Sequence, residues 1–260
     1  MTNIISIKDA FKNGKAVMPY VMSGEDSVEK TIKDIKFLTK VGADIIEVGV
    51  PYSDPIADGD VIYAAATKAI RNGITIKDVF HIIEEVRKEV NIPLVVMTYI
   101  NPVVCYGLEE FFKKCNELKV GGIIVPDLPL EEIDLIKPYL EKFSVEFIPL
   151  VSVNSSEERV KKLCESSNGF LYAVSVLGIT GERGKYPKST IDYIRKIKDI
   201  SALPVALGFG VTSREQVDEI YNDVDGFIIG TKIVRLLEEE NYEELEKLVK
   251  SLKDWDNLFI

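Results

Sequence analysis

Ser27-Val-Glu-Lys-Thr-Ile-Lys-Asp-Ile-Lys-Phe-Leu-Thr-Lys40, followed closely by Asp44-Ile-Ile-Glu-Val-Gly-Val-Pro51, decides the fold class. In the first segment Val28, Ile32, Ile35 and Leu38 recur at helical spacing, so it predicts an amphipathic helix. Gly42 follows where a helix C-cap belongs. The second segment is short and almost wholly apolar, the pattern of a parallel strand buried on both faces. The same alternation runs outward in both directions, with candidate strands at 16–22, 44–50, 94–100, 121–126, 145–151, 169–176, 203–208 and 225–230. Asn154-Ser-Ser-Glu-Glu158 reads as an N-cap with early acids for one of the intervening helices. Each crossover helix must cover the outer face of the sheet, and no linker or composition shift interrupts the series. The expectation is an α/β chain forming one (β/α)8 TIM barrel over residues 1–260, with extra short helices; a doubly wound open sheet is the alternative.

Bulk composition narrows the function. At 260 residues the chain can bury a large core, and 46% hydrophobic with 28% charged residues is an ordinary globular balance. A formal charge of −10 argues against nucleic acid or an anionic membrane as partner, because both demand a basic surface. Neither a leader nor a run near the roughly 20 apolar residues of a membrane span is present, so the expected location is cytoplasmic. Cys105, Cys115 and Cys164 show no zinc-type spacing and read as free thiols. One histidine, His81, lies in a helical pattern; it excludes a multi-histidine metal centre, and its own role reads as structural.

Glu47 breaks the apolar pattern of its strand near the C-terminal end, where barrels keep their catalytic groups. A buried carboxylate is either paired, neutralised or poised to exchange a proton with a ligand. The following Tyr52-Ser-Asp-Pro-Ile-Ala-Asp-Gly-Asp60 is a polar turn-rich loop that can bring Asp58 beside it. Two readings are open: a two-carboxylate site, or a Glu47 satisfied by an amide or a cation. Asp127, in Gly121-Gly-Ile-Ile-Val-Pro-Asp-Leu-Pro129, ends another strand and is either a site residue or a turn former. Tyr172 and Ser175 share one strand near its end, where an aromatic residue can also simply fill the barrel.

Glycines cluster after three successive candidate strands: Gly178-Ile-Thr-Gly181-Glu-Arg-Gly184, Gly208-Phe209-Gly210 and Gly230-Thr231. Glycine lets backbone amides approach an oxyanion closely, and a helix starting after Gly230 adds its positive end. Neither a dinucleotide fingerprint nor a nucleotide P-loop is completed, so a small phosphorylated substrate fits better than a nucleotide.

Pro19-Tyr20, Glu47-Val-Gly-Val-Pro-Tyr-Ser-Asp-Pro-Ile-Ala-Asp-Gly59, Asn101-Pro102, Pro126-Asp-Leu-Pro129, Gly178-Ile-Thr-Gly181 and Gly208-Phe-Gly210, in that order, resemble the tryptophan synthase alpha chain family over nearly the whole chain. The resemblance implies a single barrel that cleaves indole-3-glycerol phosphate to indole and glyceraldehyde 3-phosphate. It places Glu47 and Asp58 on the two catalytic carboxylates, Tyr172 on a substrate-positioning tyrosine and Tyr20 on a wall of the indole pocket. It places Thr180 on a mobile loop that closes over the aspartate, and Gly181, Phe209, Gly210, Gly230 and Thr231 at the phosphate end, Thr231 standing where a serine is common. It also implies a beta chain partner in an αββα assembly, contacted through the segments holding Asp54, Pro55, Asn101 and Pro129. Pyridoxal phosphate would then belong to that partner, with no cofactor and no metal in this chain. Asp60-Val-Ile-Tyr63, where proline and glutamine are frequent, and Glu182-Arg183-Gly-Lys185-Tyr-Pro187 depart from or leave open the family pattern.

The residues agree with that chemistry on their own terms. Retro-aldol cleavage needs a store for the electrons of the broken bond, commonly a lysine Schiff base or a metal. The candidate strand cores hold no lysine. An indole ring protonated at carbon 3 can serve as its own electron store, so two carboxylates suffice. Two rival readings stay open: a phosphate-binding barrel that isomerises a sugar phosphate, and a non-catalytic subunit that regulates a partner.

Overall fold

The computed structural model of the protein describes residues 4–152, 154–174, 186–208 and 210–253. Its strands are β1 (Ala16–Met22), β2 (Ile46–Gly49), β3 (Leu94–Met97), β4 (Gly122–Ile124), β5 (Glu146–Phe147), β6 (Leu150–Ser152), β7 (Leu171–Val174), β8 (Val205–Gly208) and β9 (Gly226–Ile229). All pairings are parallel, in the order β5-β4-β3-β2-β1-β9-β8-β7-β6.

The two ends of that order are neighbours in the chain. β5 and β6 are separated only by Ile148-Pro149, the Ile148 N–H donates to the Ile123 carbonyl at 2.9 Å, and the Pro149 carbonyl accepts from the Tyr172 N–H at 3.0 Å. One barrel strand therefore changes partner half-way, from β4 to β7, and the sheet is a ring of eight. Proline fits at the changeover because it has no N–H to give to either ladder. The single strand expected over 145–151 is thus two segments. The strand expected over 94–100 stops at Met97, because Ile100 already opens the helix Ile100–Tyr106.

Period-two alternation sorts the side chains. Val17, Val21, Ile46, Val48, Leu94, Val96, Phe227 and Ile229 belong to the apolar layer between sheet and helices, while Met18, Tyr20, Met22, Val95, Met97, Tyr172 and Ile228 belong to the cluster inside the ring. The helix Val28–Lys40 forms as its pattern predicts: Ser27 caps it by accepting from the Lys30 N–H, Ile35 and Leu38 are buried, and Gly42 follows at φ +114°. Ser156 likewise caps the helix Glu157–Glu165, accepting from the Arg159 N–H. At the opposite end from the strand C-termini the short helix Ile7–Ala10 closes the ring, with Ile7 buried and Phe11 against Phe170 at 5.5 Å. Arg87 ties the ends of two helices together by donating to the carbonyls of Val90, Ile92, Leu118 and Lys119. His81 is exposed on the helix Ile76–Arg87, and Cys105, Cys115 and Cys164 are free thiols.

Candidate active site

Glu47 occupies the inward face of β2, in register with Tyr20 on β1 and Val95 on β3. It is 3% exposed, and its Oε1 has no hydrogen-bond partner among the described residues. Burial, with the charge of Asp58 as a smaller contribution, pushes its pKa up to about 8. The carboxyl group is therefore neutral over most of the physiological range, in agreement with an acid lying in an apolar wall.

Asp58 stands across the cavity mouth, on the loop after β2. Burial raises its pKa, and a hydrogen bond from the Tyr99 side chain holds it back. Tyr99 is itself anchored: its hydroxyl accepts from the Ala57 N–H at 3.1 Å, and its ring stacks on Tyr52 at 5.1 Å. Tyr99 thus positions the Asp58 loop. The sequence carried a usable signal for it, a tyrosine just past the C-terminal end of β3, which the strand expected over 94–100 obscured.

Tyr20 and Tyr172 flank the carboxylates, both buried and both with hydroxyls whose ionisation is strongly disfavoured, first by burial. Each leans over a glycine two residues beyond its register partner on the next strand. Tyr20 pairs with Glu47, and a Cβ on Gly49 would lie 2.1 Å from the Tyr20 hydroxyl; Tyr172 pairs with Ala206, and a Cβ on Gly208 would lie 2.1 Å from its Cε1. Gly208 therefore makes room for an aromatic ring.

One cavity collects these residues, with about 580 Å³ of empty space including its mouth. Tyr20, Glu47, Asp58, Ile62, Met97, Tyr172 and Ile228 line one part, and Gly210, Val211, Thr212, Gly230 and Thr231 line the other. Gly210 turns the chain there at φ +81°, a conformation that suits glycine. The helix Thr231–Glu238 starts at the cavity with Gly230 as N-cap and no side-chain cap, so its first-turn amides and positive end face an incoming ligand. Among the described residues that line the cavity there is no lysine or arginine. Amides and hydroxyls with a helix terminus can bind a small phosphate, beside an apolar slot ending in two acids.

Seven sequence-derived candidates, Tyr20, Glu47, Asp58, Tyr172, Gly210, Gly230 and Thr231, meet in this cavity. Thr180, Gly181 and Phe209 lie outside the described residues, as do Ser175, Gly178, Arg183, Gly184 and Lys185. Asp127 does not join the site: its Oδ1 accepts from the Ile100 N–H at 2.9 Å, which fixes the start of the neighbouring helix. Ile62, Met97, Val211, Thr212 and Ile228 were not singled out from sequence, since apolar and threonine side chains at these positions look like ordinary core and loop. Among the described residues no group of three or more His, Cys, Asp or Glu could hold a metal ion, and no helix is long and apolar enough to cross a membrane.

A family model described as tryptophan synthase alpha chain matches residues 7–258. The tryptophan synthase alpha chains of Bacillus cereus and Bacillus anthracis are 47% and 46% identical to this chain over 248 residues, covering 95% of it and 96% of each relative. Among solved structures, the tryptophan synthase a2b2 complex from Pyrococcus furiosus contains a chain 33% identical, with TM-score 0.87 over 92% of this chain and 98% of that one. A tryptophan synthase chain from M. tuberculosis is 32% identical, with TM-score 0.85 over 96% and 98%. With a family match over nearly its whole length and a barrel that superposes on these structures, the chain belongs to the tryptophan synthase alpha chain family.

Proposed function

We propose that the barrel, acting as one catalytic domain, is a carbon–carbon lyase that cleaves indole-3-glycerol phosphate to indole and glyceraldehyde 3-phosphate in tryptophan biosynthesis. The observation that carries the residue assignment is Glu47, an inward carboxyl kept protonated to about pH 8 with one oxygen unpartnered. In the forward reaction Glu47 gives its proton to carbon 3 of the indole. The bond from that carbon to the side chain then breaks, its electrons returning to the ring, while the side-chain hydroxyl becomes the aldehyde and passes its proton back to the Glu47 carboxylate. Ionised Asp58 accepts the indole N–H and opposes the positive charge that grows on the ring. Tyr20, Tyr172, Met97 and Ile228 hold the indole, and Gly210, Gly230 and Thr231 with the first turn of their helix hold the phosphate. On the family pattern Gly181 and Phe209 complete that cradle, and Thr180 belongs to the loop that closes over Asp58.

We further propose that the chain works with a beta chain in an αββα heterotetramer in the cytoplasm, the pyridoxal phosphate residing in the beta chain. Exposed apolar groups on the segments that follow β2 and β3 support this: Ile56, on the loop after β2, is 78% exposed and Val104, on the helix Ile100–Tyr106, is 48% exposed, and Asp54, Asn101 and Pro129 are exposed as well. Release of indole from indole-3-glycerol phosphate, measured for the chain alone and with a beta chain added, is the test. Absence of indole under both conditions, from folded protein, would reject the lyase assignment.

A further inference from the structure

Thr212 lines the phosphate end of the cavity, but neither of its donors is free to serve a ligand. The Oε1 of Gln216 accepts from both the Thr212 N–H and the Thr212 hydroxyl, each at 2.9 Å. A backbone amide can only donate, so the oxygen end of the Gln216 amide has to face Thr212 and the nitrogen end is turned away. That Nε2 is buried and has no hydrogen-bond partner among the described residues. Gln216 is 6% exposed on the short helix Arg214–Val217 and is not itself a lining residue.

A buried amide donor without a partner is costly, and an apolar side chain of the same size would avoid it. The position therefore keeps glutamine for its oxygen. That oxygen gathers two donors of one residue, immediately after the turn at Gly210 that swings the chain across the cavity. It fixes where the Gly210–Thr212 backbone stands. It also withdraws both Thr212 donors from competition with the uncapped first turn of the helix Thr231–Glu238 for a bound oxyanion.

We propose that Gln216 is a positioning residue for phosphate recognition, acting through Thr212 on the loop after β8. The proposal rests on the phosphate-cradle reading of this end of the cavity. Its consequence is selective: losing the Gln216 oxygen loosens the grip on the phosphate and leaves the indole end and the carboxylates untouched.

The experiment compares kcat/KM on indole-3-glycerol phosphate with that on phosphate-free indole-3-glycerol, for wild type and Gln216→Met, with thermal melting alongside. For Gln216→Met the ratio of the two values falls about tenfold through KM of the phosphorylated substrate, while kcat and the rate on the phosphate-free substrate stay within about twofold. Equal losses on both substrates, or an unchanged ratio, overturn the proposal. Should Gln216→Met not fold, Gln216→Asn keeps the amide, shortens its reach by one methylene and reads the same ratio with the same two outcomes. A wild-type ratio near one sinks the cradle reading and the proposal with it; a large wild-type ratio preserved in the variants sinks the proposal alone.

Discussion

The Tyr172 ring fills the space that a side chain at position 208 would need: a Cβ on Gly208 would sit 2.1 Å from Tyr172 Cε1 and 2.5 Å from its hydroxyl. Gly208→Ala must push the ring off the cavity wall or bend β8. We expect a stability loss of about 1–3 kcal/mol and at least about a tenfold drop in kcat/KM for indole release. Gly49→Ala should behave alike through Tyr20, whereas a Cβ on Gly59 meets nothing within 4 Å, so Gly59→Ala should leave the melting temperature near wild type. Equal melting of all three variants would contradict the packing described.

Glu47→Gln should abolish indole release while changing stability with a defined sign. The folded chain holds the Glu47 proton to about pH 8, whereas an ordinary glutamate loses it near 4.5. Between those values the folded state binds more protons than the unfolded state, so the contribution of Glu47 to stability falls as pH rises and levels off above about 8. Glu25, raised by burial to about 7, acts in the same direction. The melting temperature of Glu47→Gln minus that of wild type should therefore grow between about pH 5 and 8. A constant difference would place an ionised Glu47 in the folded state.

In wild type, kcat/KM should fall as pH rises through about 8, where Glu47 loses the proton it has to donate. On the acid side Asp58 has to be ionised. Because the Tyr99 hydrogen bond lowers the Asp58 pKa, Tyr99→Phe should move the acid limb of the profile to higher pH. An acid limb that stays in place would remove Tyr99 from its positioning role.

Arg87→Met tests stability away from the cavity. The guanidinium serves four backbone carbonyls, so its removal strands acceptors at two helix ends and should cost about 2–4 kcal/mol. Chemical denaturation reads that loss, and the kcat of the folded fraction should be unchanged.

The strand positions and the ring were legible because each strand is a short apolar run between amphipathic helices, and Glu47 was legible because a charge in such a run has few reasons to be there. Less legible was anything that depends on who faces whom across the ring. Asp127 reads in sequence either as a site residue or as a turn former, and only its bond from the Ile100 N–H decides for the second; that Gly208 accommodates the Tyr172 ring is likewise invisible in local pattern. Tyr99 reaches Asp58 from a segment about forty residues away. Such relations follow from the curvature of the closed sheet, which one-dimensional periodicity does not encode.

The changeover at Ile148-Pro149 also divides the molecule into two contiguous arcs, residues before it carrying Glu47, Asp58 and Tyr99, residues after it carrying Tyr172, Thr212 and Thr231. The acids thus reside on one fragment and the anion grip on the other, joined by that single strand and by the β1–β9 seam. Turnover consequently reports on assembly of the whole circle: a chain nicked between Ile148 and Pro149 would recover activity only when its two pieces find each other.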